Sequence, residues 1–293
     1  MTRSFLLVLL LAMFAPAVGH AQATVTRGPY LQSASSTAIT VRWRTSIATS
    51  TRVAYGSTPG GYSANVTDPA LTTEHEVRLS GLAEGSAWYY AVGTTDALLT
   101  PGDASYSFRL APAPGALTPV RAWIVGDSGL DNLQSRAVRD QFAAWSGSDP
   151  PDVWLMLGDN AYTAGLDAEY QAGCFGLYAQ AMRHWPLYST RGNHDLLYAG
   201  AGNDYYDHFT LPAAGEAGGV PRASEAYYAF DWGPVHFVCL DSEGSDRTLG
   251  GPMIQWLRRD LAATTAPWVV CYWHHPPYTR GTHNSDNPLD SEG

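Results

Sequence analysis

The sequence predicts two regions of different class: an all-β sandwich over residues 24–110, then an α/β region of β-α-β layering over residues 120–293. Three observations carry that division. Short runs with apolar–polar alternation, broken by Gly, Ser and Pro, fill the first region. A Pro-, Ala- and Gly-rich stretch, "LAPAPGALTP", follows at 110–119, with residues 111–119 read as a semi-rigid linker. Beyond it the apolar runs become β-branched and nearly continuous, with a helix-period segment between two of them.

Residues 1–23 stand apart from both regions. Arg3 precedes the run "FLLVLLLAMFAPAV", which gives way to small residues and an Ala-x-Ala site at Ala21, Gln22 and Ala23. A charged start, a short apolar stretch and that site predict a cleavable secretory signal peptide. The run from Phe5 to Val18 is shorter than the roughly 18 to 20 residues of a spanning helix. The expected location is therefore periplasmic or extracellular, with no membrane attachment once the signal is removed.

In the β region, "AITVRWRT" places Ile39, Val41 and Trp43 on one face and Thr40, Arg42 and Arg44 on the other. "STPGGY" is turn chemistry, and "LSGLAEGSAWYYAVG" leads from a loop into a strand whose Trp88, Tyr90 and Val92 share a face. In the second region "VRAWIVGD" and "PDVWLMLGD" read as strands buried on both faces. Between them Leu133, Val138 and Phe142 recur at helical spacing after a cap at Asp131 or Asn132. Pro186 to Thr190 reads as a further strand. "EAYYAFDWGPVHFVCLDS" predicts two strands about a Gly233–Pro234 turn, and "GPMIQWLRRDLAA" a helix with Pro252 near its start. "APWVVCYWHHPPY" predicts a last buried strand running into a loop.

Bulk properties exclude several classes. The formal net charge is −10, and becomes −11 when Arg3 leaves with the signal. Duplex affinity rests on Lys and Arg neutralising phosphates, so nucleic acid is not the expected partner. Three cysteines, Cys174, Cys239 and Cys271, permit one disulfide and no disulfide framework. Cys239 and Cys271 sit in apolar runs and are expected to be buried. His236 lies inside a strand and reads as a core histidine with its hydrogen bonds satisfied.

The polar motifs fall at strand ends. "GDSG" puts Asp127 after the first strand of the second region, and "GDNAY" puts Asp159 after the next, with Tyr162 three residues on. "TRGNHD" puts Asn193 and His194 after a third strand, and "HHPPY" puts His274 and His275 after a late one. Open α/β sheets bind ligands at that edge. Hard oxygen donors combined with imidazole are what a two-metal phosphoester site needs, and two cations can draw in phosphate despite an acidic chain.

This set of motifs resembles the calcineurin-like metallophosphoesterases and, among them, the purple acid phosphatases. The stretch before it resembles a fibronectin type III module, with Glu84 and Trp88 replacing the Pro and Tyr of that module's "Leu-x-Pro-Gly-x-x-Tyr" corner. The resemblance implies an acid phosphatase that hydrolyses phosphate monoesters with a metal-bound hydroxide. The cofactors it implies are Fe(III) and a divalent ion (Zn, Fe or Mn). It implies Asp127 and Tyr162 on the first metal, Asp159 bridging both, and Asn193 and His274 on the second. His194 and His283 become the groups that contact phosphate and protonate the leaving alcohol.

Most relatives carry a metal-binding His two residues after the first Asp. Gly129 stands there in this sequence, and Tyr162 supplies the missing donor, which favours the iron-tyrosinate type. The family's last motif, Gly-His-x-His, does not occur in the 293 residues, so the catalytic region is read as partial and incomplete at its C-terminus. Two alternatives stay open: a metal-dependent phosphodiesterase on the same scaffold, and a non-catalytic exported binding protein with a relic site.

Overall fold

The computed structural model describes residues 22–197, 204–222, 224–281 and 284–287. Residues 1–21 of the expected signal segment and His283 lie outside the described residues.

The N-terminal region is all β, as the alternation predicts. It comprises β1 (Val25–Gln32), β2 (Ala38–Gly56), β3 (Ala64–Ser80), β4 (Ala87–Gly93) and β5 (Ser107–Arg109). The 19-residue β2 organises it: its first half pairs with β1, its second half with β4, and β3 runs along it. Ile39, Val41 and Trp43 are buried on one face. The opposite face is covered too, because Thr40 and Arg42 are buried and Arg42 donates from Nη2 to the Asp207 carbonyl at 2.7 Å. Tyr90 and Val92 enter the core, while Trp88 stays partly exposed, edge-on to Tyr55.

The second region begins with β6 (Ala122–Val125), α1 (Leu133–Ser146) and β7 (Val153–Met156). Next come α2 (Asp167–Glu169), a π-helical stretch Tyr170–Gly176, α3 (Ala179–Met182) and β8 (Leu187–Ser189). A 3₁₀ turn His194–Leu196 and α4 (Asp204–His208) complete this half. Strands β6, β7 and β8 are parallel, and β1 joins β8 at Gln32↔Leu187. One sheet of order β5-β4-β2-β1-β8-β7-β6 therefore runs through both regions. A second sheet, β11-β10-β9, is formed by β9 (Tyr228–Trp232), β10 (Val235–Cys239) and β11 (Trp268–Tyr272), with α5 (Pro252–Ala263) between β10 and β11 in the chain.

Local signals explain the boundaries. Asn132 caps α1 by accepting the Ser135 N–H at 2.8 Å. Pro252 opens α5, where its missing N–H costs nothing. Gly233 makes the β9–β10 turn at φ 54°.

Three expectations are corrected. First, β7 is buried throughout, but β6 and β11 are not two-faced: Ile124, Trp268, Val269 and Val270 are exposed. Both are the end strands of their sheets among the described residues, and a continuous apolar run does not reveal whether anything packs over it. Second, Cys271 on β11 is exposed for the same reason, while Cys174 and Cys239 are buried, and all three are free thiols. Third, the helical spacing of Leu133, Val138 and Phe142 does mark α1, yet only Phe142 packs inward, stacked on Trp123 at 4.4 Å.

Candidate metal centre

Each strand end delivers its side chain through a constrained turn. Asp127, after β6, and Asp159, after β7, both have left-handed backbones, with φ 51° and 53°. A non-glycine residue held there stores strain, and Asp tolerates it better than most residues. Gly158 and Gly192 bring the segments into contact. A Cβ on Gly158 would lie 2.6 Å from His274 Nδ1, and one on Gly192 would lie 2.8 Å from His274 Nε2 and overlap Asp159 Oδ1.

The convergence is direct. Donor atoms of Asp127, Asp159 and His274 all lie within 4.8 Å of one another. His274 Nε2 is 3.1 Å from Asn193 Oδ1 and 3.5 Å from Asp159 Oδ1. Its Nδ1 lies 2.8 Å from the Leu157 carbonyl, an atom that can only accept, so Nδ1 carries a proton and Nε2 is the ring nitrogen turned toward Asn193 and Asp159. Nε2 of His274, the Asn193 amide oxygen and an Asp159 oxygen thus meet, with Asp127 Oδ1 3.8 Å from the other ring nitrogen. Oxygen and imidazole donors gathered this closely fit a metal ion.

Tyr162 donates its phenol to Asp159 Oδ2 at 2.7 Å. Burial, then that bond and the charge of Asp159, push its pKa well above the ordinary phenol value. His194 is fixed at three points. Its N–H donates to Asp159 Oδ1 at 3.0 Å, its ring lies 4.6 Å from the Tyr162 ring, and its Nδ1 meets the Thr163 carbonyl at 2.6 Å. Nδ1 therefore carries hydrogen, and Nε2 faces Asp159 Oδ2 at 4.0 Å. All six described candidates, Asp127, Asp159, Tyr162, Asn193, His194 and His274, thus gather at one rim. His275 sits beside His274 but turns to Ser242 Oγ, 2.9 Å from its Nδ1.

Gly129 cannot be replaced by a ligand without rebuilding the site. A Cβ there would overlap the backbone of Asn160 and Ala161.

The residue that sequence reasoning missed is Asp195. In "GNHD" it follows the two rim residues but turns inward and is buried. Its oxygens accept from Asn160 N at 3.0 Å, Asn160 Nδ2 at 2.9 Å, Gly192 N at 2.8 Å and the Tyr170 hydroxyl at 2.6 Å. It ties the Asp159 turn to the Asn193 turn. Burial raises its pKa to about 6, against the opposing pull of the Tyr170 and Gly192 bonds. The signal was the carboxylate itself, which directly follows His194 in "TRGNHD".

The sequence model of the family described as calcineurin-like phosphoesterase matches residues 120–292. Similar proteins include Purple acid phosphatase 15 of Arabidopsis thaliana, 26% identical over 71% of this chain and 42% of that protein. Acid phosphatase type 7 of Homo sapiens is 25% identical over 82% of this chain and 56% of that protein. Probable inactive purple acid phosphatase 9 of Arabidopsis thaliana is 24% identical over 75% and 38%. The chain therefore spans between 38% and 56% of the length of these relatives. A solved structure of PhoD superposes with a TM-score of 0.63 at 16% identity, covering 87% of this chain and 63% of that one.

Proposed function

The chain belongs to the calcineurin-like phosphoesterase family, and from that premise we propose that it is a phosphomonoester hydrolase of the purple acid phosphatase type. The observation that carries the reading is the convergence of Asp127, Asp159 and His274 from three separate strand ends, with the Tyr162 phenol on Asp159. Asp127 and Tyr162 are assigned to Fe(III), Asn193 and His274 to a divalent ion, and Asp159 to both. When bound, the two cations supply Lewis-acid activation of water and of the phosphoryl oxygens.

The chain's own residues supply the rest. Asp159 and Asp127 make the rim negative, so that it takes up cations before it admits a phosphate. Tyr162, a hard anionic donor once its proton leaves, selects a trivalent ion. His194, with Nδ1–H committed to the Thr163 carbonyl, keeps Nε2 free to hold a proton at the leaving-group oxygen. His283 is assigned a second phosphate contact on the resemblance alone. Export by residues 1–23 completes the reading.

The test is hydrolysis of p-nitrophenyl phosphate against bis(p-nitrophenyl) phosphate. The monoester is expected to be the better substrate, and Asp159→Asn is expected to lower its rate by about 100-fold or more, the upper range for groups that support metal ligands. In an iron-loaded protein the visible tyrosinate band is expected to vanish in Tyr162→Phe. Preference for the diester, or colour retained in Tyr162→Phe, would overturn this assignment.

A further inference from the structure

Two arginines of the N-terminal β region reach across to one carboxylate of the second. Arg44 on β2 forks onto Asp167, Nη1 to Oδ2 at 2.8 Å and Nη2 to Oδ1 at 2.8 Å. Arg27 on β1, itself buried, adds Nη2 to Oδ1 at 2.8 Å. Its other nitrogens meet Gln171 Oε1 and His208 Nδ1, each at 2.8 Å. A fork of this kind fixes a carboxylate in plane and direction, which one lysine could not do.

Asp167 opens α2, and Glu169 at the end of α2 folds back over the preceding loop. Glu169 Oε1 accepts the Thr163 N–H at 2.6 Å, and Oε2 accepts those of Ala164 and Leu166 at 2.9 and 3.0 Å. That loop starts at Tyr162, and its Thr163 carbonyl is the atom that receives His194 Nδ1–H at 2.6 Å. An unbroken series of bonds thus runs from the β region to the imidazole at the metal centre.

We infer that Asp167 is a positioning residue: through Arg27 and Arg44 the β region holds loop 162–166, and that loop sets the orientation of His194. The inference rests on the phosphatase reading for the role of His194, though not for the loop itself. Gluing the regions together accounts for only part of this arrangement. The Asp167 side chain is 48% exposed, so its pair with the partly exposed Arg44 contributes little to stability, while the buried Arg27 keeps Gln171 Oε1 as a second partner. The contact between the regions is also secured elsewhere, by Tyr30 Oη to the His208 carbonyl at 2.9 Å and Ser33 Oγ to the Thr210 carbonyl at 2.7 Å.

The test is a double-mutant cycle on the full-length protein, with p-nitrophenyl phosphate kinetics for Asp167→Asn, His194→Ala and the pair. Asp167→Asn is expected to lower kcat about tenfold with KM changed less than about twofold, and Asp167→Glu to recover part of the loss. In the double variant the loss is expected to equal that of His194→Ala alone, because the second change removes the group through which the first acts. Losses that multiply, or wild-type kcat in Asp167→Asn, would overturn the inference. Arg44→Gln reads the same link should Asp167→Asn fail to fold.

Amide hydrogen exchange separates this inference from the phosphatase reading. Faster exchange at Thr163, Ala164 and Leu166 in Asp167→Asn is expected whether or not the protein turns over phosphate, and unchanged protection there refutes the link. A wild-type protein that hydrolyses no phosphate ester refutes the functional reading alone.

Discussion

At Asp127 and Asp159 the backbone is held at φ near 50°, where a side chain other than glycine costs roughly 1 kcal/mol or more. Such strain survives where the residue's chemistry is needed at that point in space. Asp127 adds a second cost, because its carboxylate lies within 4.8 Å of that of Asp159. Asp127→Asn keeps the shape, suits a left-handed backbone and removes a charge. We therefore expect the metal-free variant to be as stable as wild type, or up to about 1 kcal/mol more stable, while binding metal more weakly. Melting in chelator, paired with a metal titration, checks both halves; a melting temperature several degrees lower would contradict the strain argument. Gly129 is the reverse case. Gly129→Ala drives a methyl into the Asn160–Ala161 backbone, which cannot swing away as a side chain can, and is expected to cost about 3 kcal/mol in a denaturant titration. A wild-type midpoint there would mean that the Asp127 and Asp159 turns are looser than described. The gathering of Asp127, Asp159 and His274 was legible because the two aspartates each follow a Gly that ends an apolar run, and His274 ends another two residues before Pro276. The inward turn of Asp195 was not, since it depends on donors from Asn160, Gly192 and Tyr170, two of them in other segments.

Among the elements, the β9–β10 hairpin is clamped to α5 by one imidazole. His236 Nδ1 bonds Asp231 Oδ1 at 2.7 Å and Nε2 bonds Asp260 Oδ2 at 2.8 Å, while Asp260 Oδ1 accepts the Val220 N–H at 2.6 Å. Burial alone lowers the pKa of this histidine, but the two carboxylates outweigh it and hold it at about 9. A folded pKa above the unfolded value of 6.5 means the contribution is complete below that pH and disappears as pH rises through 9. Asp260→Asn is expected to be less stable than wild type at pH 7 by about 3 kcal/mol, and the gap to narrow by pH 10. Urea titrations at the two pH values measure it; a gap of constant size would contradict a charged clamp. The sequence showed His236 as a core histidine and the hairpin about Gly233, because turn residues and alternation are local signals. It did not show Asp260 as the partner, which sits a helix away. The misreading of β6 and β11 has a similar origin: apolar content reports what a strand can bury, and cover comes from other elements.

In the whole molecule, the two regions that the sequence separated by composition share one sheet through Gln32↔Leu187. The polar face of β2 meets the segment around Thr210 instead of water, with Thr210 Oγ1 bonded to Arg42 and to Glu76. Alternation in β2 was read correctly, yet periodicity carries no information about what lies across each face. The proposed metal centre depends on this assembly, since its candidate donors come from four segments whose spacing is fixed by β6, β7, β8 and β11. The most direct test is metal uptake by the purified protein, measured by mass spectrometry and titration, in wild type and in Asp159→Asn, Asn193→Ala and His274→Ala. One shared cage predicts that wild type binds metal and that each substitution weakens binding by about tenfold or more. Metal content equal to wild type in all three variants would contradict it.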